Sequence, residues 1–228
     1  MNLLCLMLLA AMPPQDTLAP YGPQDTLAPP ARLLVIAHDD SWFATQDTND
    51  AVNAAKENHI PVVGTFQSVR VPAARWSDEW LDGLASKDAR PGDTLIVFTV
   101  GHGAREGFLY GLGARQWVVN RLATMAVRNK QRVLWWQLSC HAGAGLEYYD
   151  QQPYEVTQWL TIFCASPAAY VAWSGEEAGL MRRLFARLRE RPDMNMEEFQ
   201  DFLCHNDNRR TCDWLKGWRG QRIFGHRN

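Results

Sequence analysis

The sequence has no strong excess of charge of either sign, no regularly spaced set of cysteines and no long apolar run. Its 23 basic and 25 acidic side chains give a formal net charge of −2, so we expect neither nucleic acid nor an anionic membrane as the main partner. The five cysteines are irregularly spaced, which does not fit the disulfide framework of a small secreted domain. The 228 residues are enough for one α/β domain but few for two.

The first thirty residues differ in composition from the rest of the chain. The apolar run Leu3–Met12 is too short to span a bilayer, and it resembles a signal-peptide core without the usual basic residue before it. This favours the cytoplasm over export, leaves the compartment open and gives no clear membrane anchor. The segments Pro14–Pro20 and Pro23–Pro29 repeat the sequence PQDTLAP, which we interpret as an extended linker. We therefore predict an N-terminal segment and linker over residues 1–30 and a folded domain over residues 31–228.

Within the predicted domain, apolar runs that indicate strands alternate with segments that indicate helices. This alternation is typical of a mostly parallel sheet with helices on both faces. The predicted strands are Leu33–Ala37, Pro61–Phe66, Thr94–Val100, Arg132–Leu138, Leu160–Ala165 and Arg222–Phe224, and the predicted helices are Asn49–Asn58, Ser77–Leu84, Gln116–Val127, Glu177–Glu190 and Met196–Leu203.

Two of the most apolar predicted strands lead directly into reactive side chains. Thr94–Val100 is followed by Gly101-His102-Gly103, and Arg132–Leu138 is followed by Ser139-Cys140. Parallel strands end at one edge of the sheet, where such folds bind ligands. A thiol nucleophile needs a nearby imidazole to accept its proton and later to protonate the leaving amine. The placement therefore predicts that His102 and Cys140 form a catalytic pair.

The order of these motifs resembles that of the caspase-like peptidases, which include caspases, metacaspases, legumain and gingipains. In that group an apolar strand and His-Gly precede a second apolar strand and the Cys. Leu138–Gly143 (LSCHAG) is similar to the metacaspase sequence around the Cys. Ala165–Ser174 is similar to the caspase small-subunit strand and loop, with Tyr170 and Trp173 at its aromatic positions. Gln221–Gly225 resembles the closing strand of the group.

This resemblance implies a caspase-like three-layer sandwich, with a mostly parallel six-stranded sheet between helices. It also implies a cysteine-type endopeptidase acting on peptides or proteins through a thioacyl-enzyme. His102 would act as general base and then acid, and Cys140 would be the nucleophile. The backbone N–H groups of Gly103 and Cys140 would form the oxyanion hole. No metal or organic cofactor is implied, and no acidic cluster matches the calcium site of some metacaspases.

The sequence departs from the charge specificity of that group. Caspases bind a substrate Asp through a Gln two residues before the Cys and an Arg after the Trp, and metacaspases carry an acidic residue two before the Cys. Leu138 and Ser174 occupy these positions here, and strand alternation points Gln137 to the opposite face. We expect a neutral side chain in the primary pocket. The candidate pocket residues are Leu138, Tyr170, Trp173 and Ser174.

Other motifs lead to weaker hypotheses. His38-Asp39-Asp40 follows the first strand and either lines the cleft or forms a turn. His141 is a competing base, but its place beside the Cys fits that role less well. Residues 145–158 contain no basic residue, so we expect one uncleaved chain. Zinc is not expected, because the paired short spacing of structural sites is missing at Cys204, His205, Cys212 and His226.

Two alternative functions remain beside the peptidase. The first is a catalytically inactive caspase-like domain that acts as a protein-binding or regulatory module, although the chain retains both His102 and Cys140. The second is a different thiol acyl-transfer enzyme on a similar scaffold. Papain-like enzymes fit poorly because their Cys precedes their His, and the chain has no GxSxG nucleophile elbow. The oligomeric state and any activation signal stay open.

Overall fold

The computed structural model describes residues 31–67, 83, 93–145, 148–149, 159–166, 176–191 and 215–216. The predicted linker, the helix Met196–Leu203 and the strand Arg222–Phe224 lie outside this part of the chain. So does the predicted helix Ser77–Leu84, apart from the helical Gly83. The described elements are β1 (Ala31–Ala37), α1 (Trp42–Glu57), β2 (Val62–Gln67), β3 (Thr94–Val100), β4 (Phe108–Leu109), β5 (Gly113–Ala114), α2 (Arg115–Arg128), β6 (Arg132–Leu138), a 3₁₀ turn (Ala142–Gly145), β7 (Leu160–Cys164), α3 (Glu176–Glu190) and β8 (Leu215–Lys216).

The described strands form a six-stranded sheet in the order β2-β1-β3-β6-β7-β8. The first five of these are parallel to one another, and β8 alone runs antiparallel, against β7. This confirms the predicted mostly parallel sheet. The short strands β4 and β5 pair separately as a hairpin, and Gly111 and Leu112 lie in the turn between them.

Strand alternation divides the core into two apolar layers. One face of the sheet packs against α1 and α3, and the other packs against α2. The adjacent residues Trp135 and Trp136 belong to opposite layers, and the ring centroid of Trp136 lies 4.8 Å from that of Phe163. The central strands are buried on both faces, which explains their continuous apolar sequences. The result is the predicted three-layer sandwich.

The largest difference from the predicted bounds is at α1, and one described strand was not predicted. Helix α1 begins at Trp42 rather than Asn49, because Ala44, Asp47 and Thr48 on its first turns are buried and tertiary packing outweighs the modest helix propensity of this segment. Strand β8 was not predicted because its two residues are too short to give a periodic pattern. In the described part of the chain, no helix has the length and apolar character needed to cross a membrane.

Candidate active site

The strand order reverses its direction of growth beside β1 and β3. From β1 the sheet extends outward to β2, and from β3 it extends in the opposite direction to β6 and β7. The helices that follow β1 and β3, α1 and α2, cover opposite faces. The two chain segments therefore diverge at the carboxyl edge, and such a switch point opens a crevice where α/β sheets bind ligands.

The register of three neighbouring strands brings the candidate residues to this crevice. Ala37 pairs with Val100, and Val100 pairs with Leu138, so Asp39, His102 and Cys140 each follow an aligned position by two residues. His102 is exposed and Cys140 is partly exposed. Both line one cleft, whose lining comprises Phe43, Asp47, Gly101, His102, Leu138, Ser139 and Cys140.

Asp39 anchors the main chain of His102. One of its carboxylate oxygens accepts the backbone N–H of His102, and the other accepts the hydroxyl and backbone N–H of Ser41. Burial alone would raise the pKa of Asp39, but these hydrogen bonds outweigh it and leave the pKa below its ordinary value. The His102 ring packs edge-on against Phe43 at a centroid distance of 4.9 Å and lies 6.3 Å from the Tyr110 ring.

His38 lies beneath this anchor and is only 2% exposed. Its Nδ1 is 2.6 Å from the carbonyl oxygen of Tyr110, so Nδ1 must carry the proton because a carbonyl only accepts. Burial lowers the pKa of His38 to about 4, which keeps the ring neutral at pH 7. A side chain at Gly101 would collide with the His38 ring and the Asp39 carboxylate, so only glycine fits between them.

Gly103 brings the His102 segment into close contact with the Cys140 segment. A Cβ atom at this position would overlap the carbonyl oxygen of Cys140 and the guanidinium of Arg115. Gly103 also bridges to Leu109, but the hydrogen bonds of that bridge come from the N–H groups of Ala104 and Tyr110. The N–H of Gly103 is thus not used in the bridge.

Arg115 lies under both segments and is 1% exposed. Its Nη1 donates to the carbonyl of Ala104 at 2.9 Å, and its Nη2 donates to the carbonyl of Cys140 at 2.8 Å and to Ser139 Oγ at 3.4 Å. Burial lowers its pKa to about 10, so the side chain remains a cation at pH 7. One guanidinium therefore connects the loops that carry the two candidate catalytic residues.

Ser166 attaches the Cys140 loop to the end of β7. Its hydroxyl donates to the carbonyl of Ser139 at 3.0 Å and accepts the N–H of Ala142 at 3.1 Å. Its carbonyl accepts the N–H of Gly143 at 2.9 Å. Between these contacts His141 adopts a left-handed backbone with φ 56°, and it is not among the cleft-lining residues.

The structure places the predicted pocket residues only in part. Leu138 lines the cleft, whereas Gln137 is buried on the other face, with its Nε2 3.6 Å from Cys164 Sγ. The alternation argument for these two residues is therefore confirmed. The remaining pocket candidates lie outside the described residues, and they are Tyr170, Trp173 and Ser174.

Sequence analysis missed Arg115 and Asp47. A basic residue at the start of a helix opposes the helix dipole, and that conflict was the available signal for Arg115. Asp47 is buried in α1 and lines the cleft, but nothing in its local sequence separates it from Asp50 in the same helix. His38-Asp39-Asp40 was left with two interpretations, and Asp39 serves both: it closes a turn with Ser41 and it anchors His102.

The described residues do not form a metal site. Across the described ranges, no group of three or more His, Cys, Asp or Glu side chains is arranged to hold a metal ion. The four candidate zinc ligands of the sequence all lie outside these ranges, and they are Cys204, His205, Cys212 and His226. The chemical groups that the site presents are the Cys140 thiol, the His102 imidazole and backbone groups.

Comparison with known proteins gives a fold but no sequence family. No protein-family model matches the chain, and no curated protein matches its sequence. Among solved structures, caspase-1 from Spodoptera frugiperda superposes over 84% of this chain and 85% of its own, with a TM-score of 0.53 and 15% identity. The structure of drICE superposes over 79% of this chain and 83% of its own, with a TM-score of 0.50 and 15% identity. The chain therefore has a caspase-like fold.

Proposed function

We propose that the chain is a cysteine-type endopeptidase that hydrolyses peptide bonds through Cys140 and His102. The observation that carries this proposal is the shared cleft. Two neighbouring strands end in register, and the residues that follow them place a partly exposed thiol and an exposed imidazole in one lining. The caspase-like fold supports the same reaction, because caspases are peptidases that use a Cys and a His.

The proposed reaction follows from the chemistry of this pair. His102 removes the proton of the Cys140 thiol, and the thiolate attacks the carbonyl carbon of the scissile peptide bond. The imidazolium then gives the proton to the leaving amine, which departs as the C–N bond breaks and leaves a thioacyl-enzyme. Water, deprotonated by His102, attacks the thioester, releases the acid product and restores the thiol. The Asp39 anchor holds the His102 main chain throughout these proton transfers.

The tetrahedral intermediates require donors for a negatively charged oxygen. We assign this role to the N–H groups of Gly103 and Cys140. Gly103 supports the assignment because its N–H is not used in the Leu109 bridge and its missing side chain lets the His102 segment lie against the Cys140 segment. Backbone donors of this kind are fixed before the substrate binds, so they cost no reorganisation in the transition state.

The primary pocket remains a hypothesis of neutral specificity, based on Leu138 and Ser174. Leu138 supplies an apolar wall of the cleft. Asp47 adds a carboxylate to the same lining, which supports the competing hypothesis of a pocket for a basic side chain. A peptide library should show cleavage after neutral side chains. A profile dominated by Arg or Lys would instead assign the pocket to Asp47, and dominance of Asp would contradict both assignments.

Labelling with a peptidyl electrophile tests the proposed reaction. An acyloxymethyl ketone reacts with a thiolate only when a peptide-binding site presents it, so the wild type should be modified at Cys140 alone. The Cys140→Ala variant should lose labelling, and the His102→Ala variant should label at least tenfold more slowly. Equal labelling of the wild type and Cys140→Ala would overturn the peptidase proposal.

A matched control comes from the other described free thiol. Cys164 is fully buried, so Cys164→Ala should label as fast as the wild type. An unlabelled but folded wild type that binds peptides would instead support the inactive binding module. Turnover of a fluorogenic peptide library, followed in the same four proteins, separates a slow peptidase from a binding domain.

A further inference from the structure

Arg115 occupies an unusual position for a cation in this fold. It is the first residue of α2, where the partial positive charge of the helix N-terminus repels it. It is also 1% exposed, and burying a charge costs several kcal/mol unless it is compensated. Its neighbours must therefore supply a specific reason for its presence.

The geometry gives half of that reason. The planar guanidinium spans two loops, with Nη1 on the Ala104 carbonyl and Nη2 on the Cys140 carbonyl. Ala104 follows His102 by two residues, and Cys140 is the proposed nucleophile itself. A rigid fork holds two acceptors at a fixed separation better than a flexible ammonium does. Arg115 thus sets the spacing of the two proposed catalytic segments.

The charge gives the other half. Among the described residues, Arg115 forms no salt bridge with a carboxylate, and its hydrogen-bond acceptors are two carbonyls and a hydroxyl. These dipoles compensate a full positive charge only partly. An anion that forms nearby is therefore stabilised, and the thiols of Cys164 and Cys140 both lie within range of its charge.

The titratable groups around Arg115, other than Cys140, do not benefit from its positive charge. Burial raises the pKa of Cys164 to about 12, so that thiol stays protonated, and burial keeps His38 neutral. On the β1 side, Asp39 is ionised but is engaged by Ser41 and His102. Among the described residues, the other ionisable side chains that line the cleft or face His102 are Asp47 of α1, His102 itself and Tyr110, and His141 lies beside the nucleophile.

We propose that Arg115 is a positioning residue that clamps the His102 and Cys140 segments together and places a buried positive charge beside the proposed nucleophile. The role rests on the proposed function for its use in catalysis, but the effect on the reactivity of the thiol does not. A purely structural brace would fix the loops whether or not the side chain carried a charge. The two roles can therefore be separated by measuring the reactivity of the thiol directly.

The experiment is the rate of Cys140 alkylation by iodoacetamide at pH 7, mapped by mass spectrometry, which needs no turnover. Arg115→Met should slow this alkylation about tenfold, because the clamp and the neighbouring charge are both lost. Arg115→Lys keeps the charge and should stay within about threefold of the wild type. Arg128→Met at the other end of α2 is the matched control and should leave the rate unchanged.

Two outcomes would overturn the proposal. The first is a folded Arg115→Met variant that is alkylated at the wild-type rate, and the second is an Arg115→Lys variant that is slowed as much as Arg115→Met. If the Met variant fails to fold, Arg115→Gln takes its place, and alkylation at the wild-type rate in that variant has the same consequence. If the rates change as expected but no peptide is cleaved, the peptidase proposal fails and the clamp stands.

Discussion

Among the described residues, one thiol and one imidazole line the cleft, and another thiol and another imidazole are buried inside the fold; we call them the outer pair and the inner pair. His102 and Cys140 lie beyond the ends of β3 and β6 and line the cleft. His38 and Cys164 lie at the ends of β1 and β7 and are buried. Both pairs consist of one His and one Cys, so any difference in their properties comes from their surroundings in the fold.

Burial keeps the inner pair neutral. It lowers the pKa of His38 to about 4 and raises that of Cys164 to about 12, because a low-dielectric surrounding disfavours the charged form of any group. Both residues are therefore neutral at pH 7. The outer pair lines the cleft. In the strand register His38 is level with Gly101 and Cys164 is level with Gln137, so one to three positions toward the edge of the sheet separate a buried side chain from one in the cleft. The experiments that follow each test one side of this contrast.

The largest expected effect concerns the outer imidazole. His102→Ala should lower kcat/KM for a cleaved peptide on the order of 10³-fold, because the thiol loses its proton acceptor and the amine loses its proton donor. His141→Ala is the matched control and should change kcat/KM less than threefold. Comparable losses in both variants would move the general base to His141 and break the assignment of the outer pair.

The next effect concerns the contact that joins the two outer segments. Gly103→Ala should lower kcat/KM about 100-fold, because the added Cβ overlaps the Cys140 carbonyl and displaces the His102 segment. Gly83→Ala adds the same methyl group where nothing lies within 4 Å, and it should have no effect. A fully active Gly103→Ala enzyme would show that the close approach of the segments is dispensable.

The inner imidazole should affect stability rather than rate. Its pKa is lower in the fold than in the unfolded chain, so the unfolded state binds protons first on acidification, and the free energy of unfolding falls as the pH drops below about 6.5. Between pH 7 and pH 5 the loss is about 2 kcal/mol. His38→Asn can still donate to the Tyr110 carbonyl and should remove this part of the pH dependence, measured by urea unfolding.

The control for that measurement is the exposed His59, whose left-handed backbone an Asn also tolerates. His59→Asn should keep the wild-type loss of stability between pH 7 and pH 5. If His38→Asn and His59→Asn behave alike, His38 is not held neutral by burial, and the contrast between the inner and outer imidazoles disappears.

The smallest effect concerns the inner thiol. Cys164→Ala removes a buried sulfur and should cost about 1 kcal/mol of unfolding free energy. Its kcat/KM should equal that of the wild type, since the thiol stays protonated and does not line the cleft. A loss of activity without a loss of stability would place Cys164 in the reaction and erase the distinction between the two thiols.

The sequence predicted the central strands well because their apolar runs have no competing interpretation. The bounds of β3 and β6 agree with the predicted ones, and these two strands bring His102 and Cys140 to the edge. The start of α1 was predicted less well, because the burial of Asp47 and Thr48 depends on the neighbouring layer. The two-residue strand β8 has no pattern of its own and exists only through its pairing with β7.

The candidate site divides in the same way. Its thiol and imidazole follow apolar strands, so local pattern and chain order were enough to find them. Arg115 had only its conflict with the helix dipole as a signal, and Asp47 had none. The partners of Arg115 and Asp39 were not predictable, because they are distant in the sequence. A hydrogen bond between Arg115 and Cys140 spans 25 positions, and one between Asp39 and His102 spans 63.

By itself the sequence determined the alternation of strands and helices, the direction of the sheet and the two reactive residues at its edge. Only the tertiary structure decided which thiol and imidazole reach the cleft and which remain buried, and which carboxylate and guanidinium hold the reactive segments. The physical reason is that periodicity reports one face of one element. Burial, close approach and the compensation of a buried charge are set by several elements packed together.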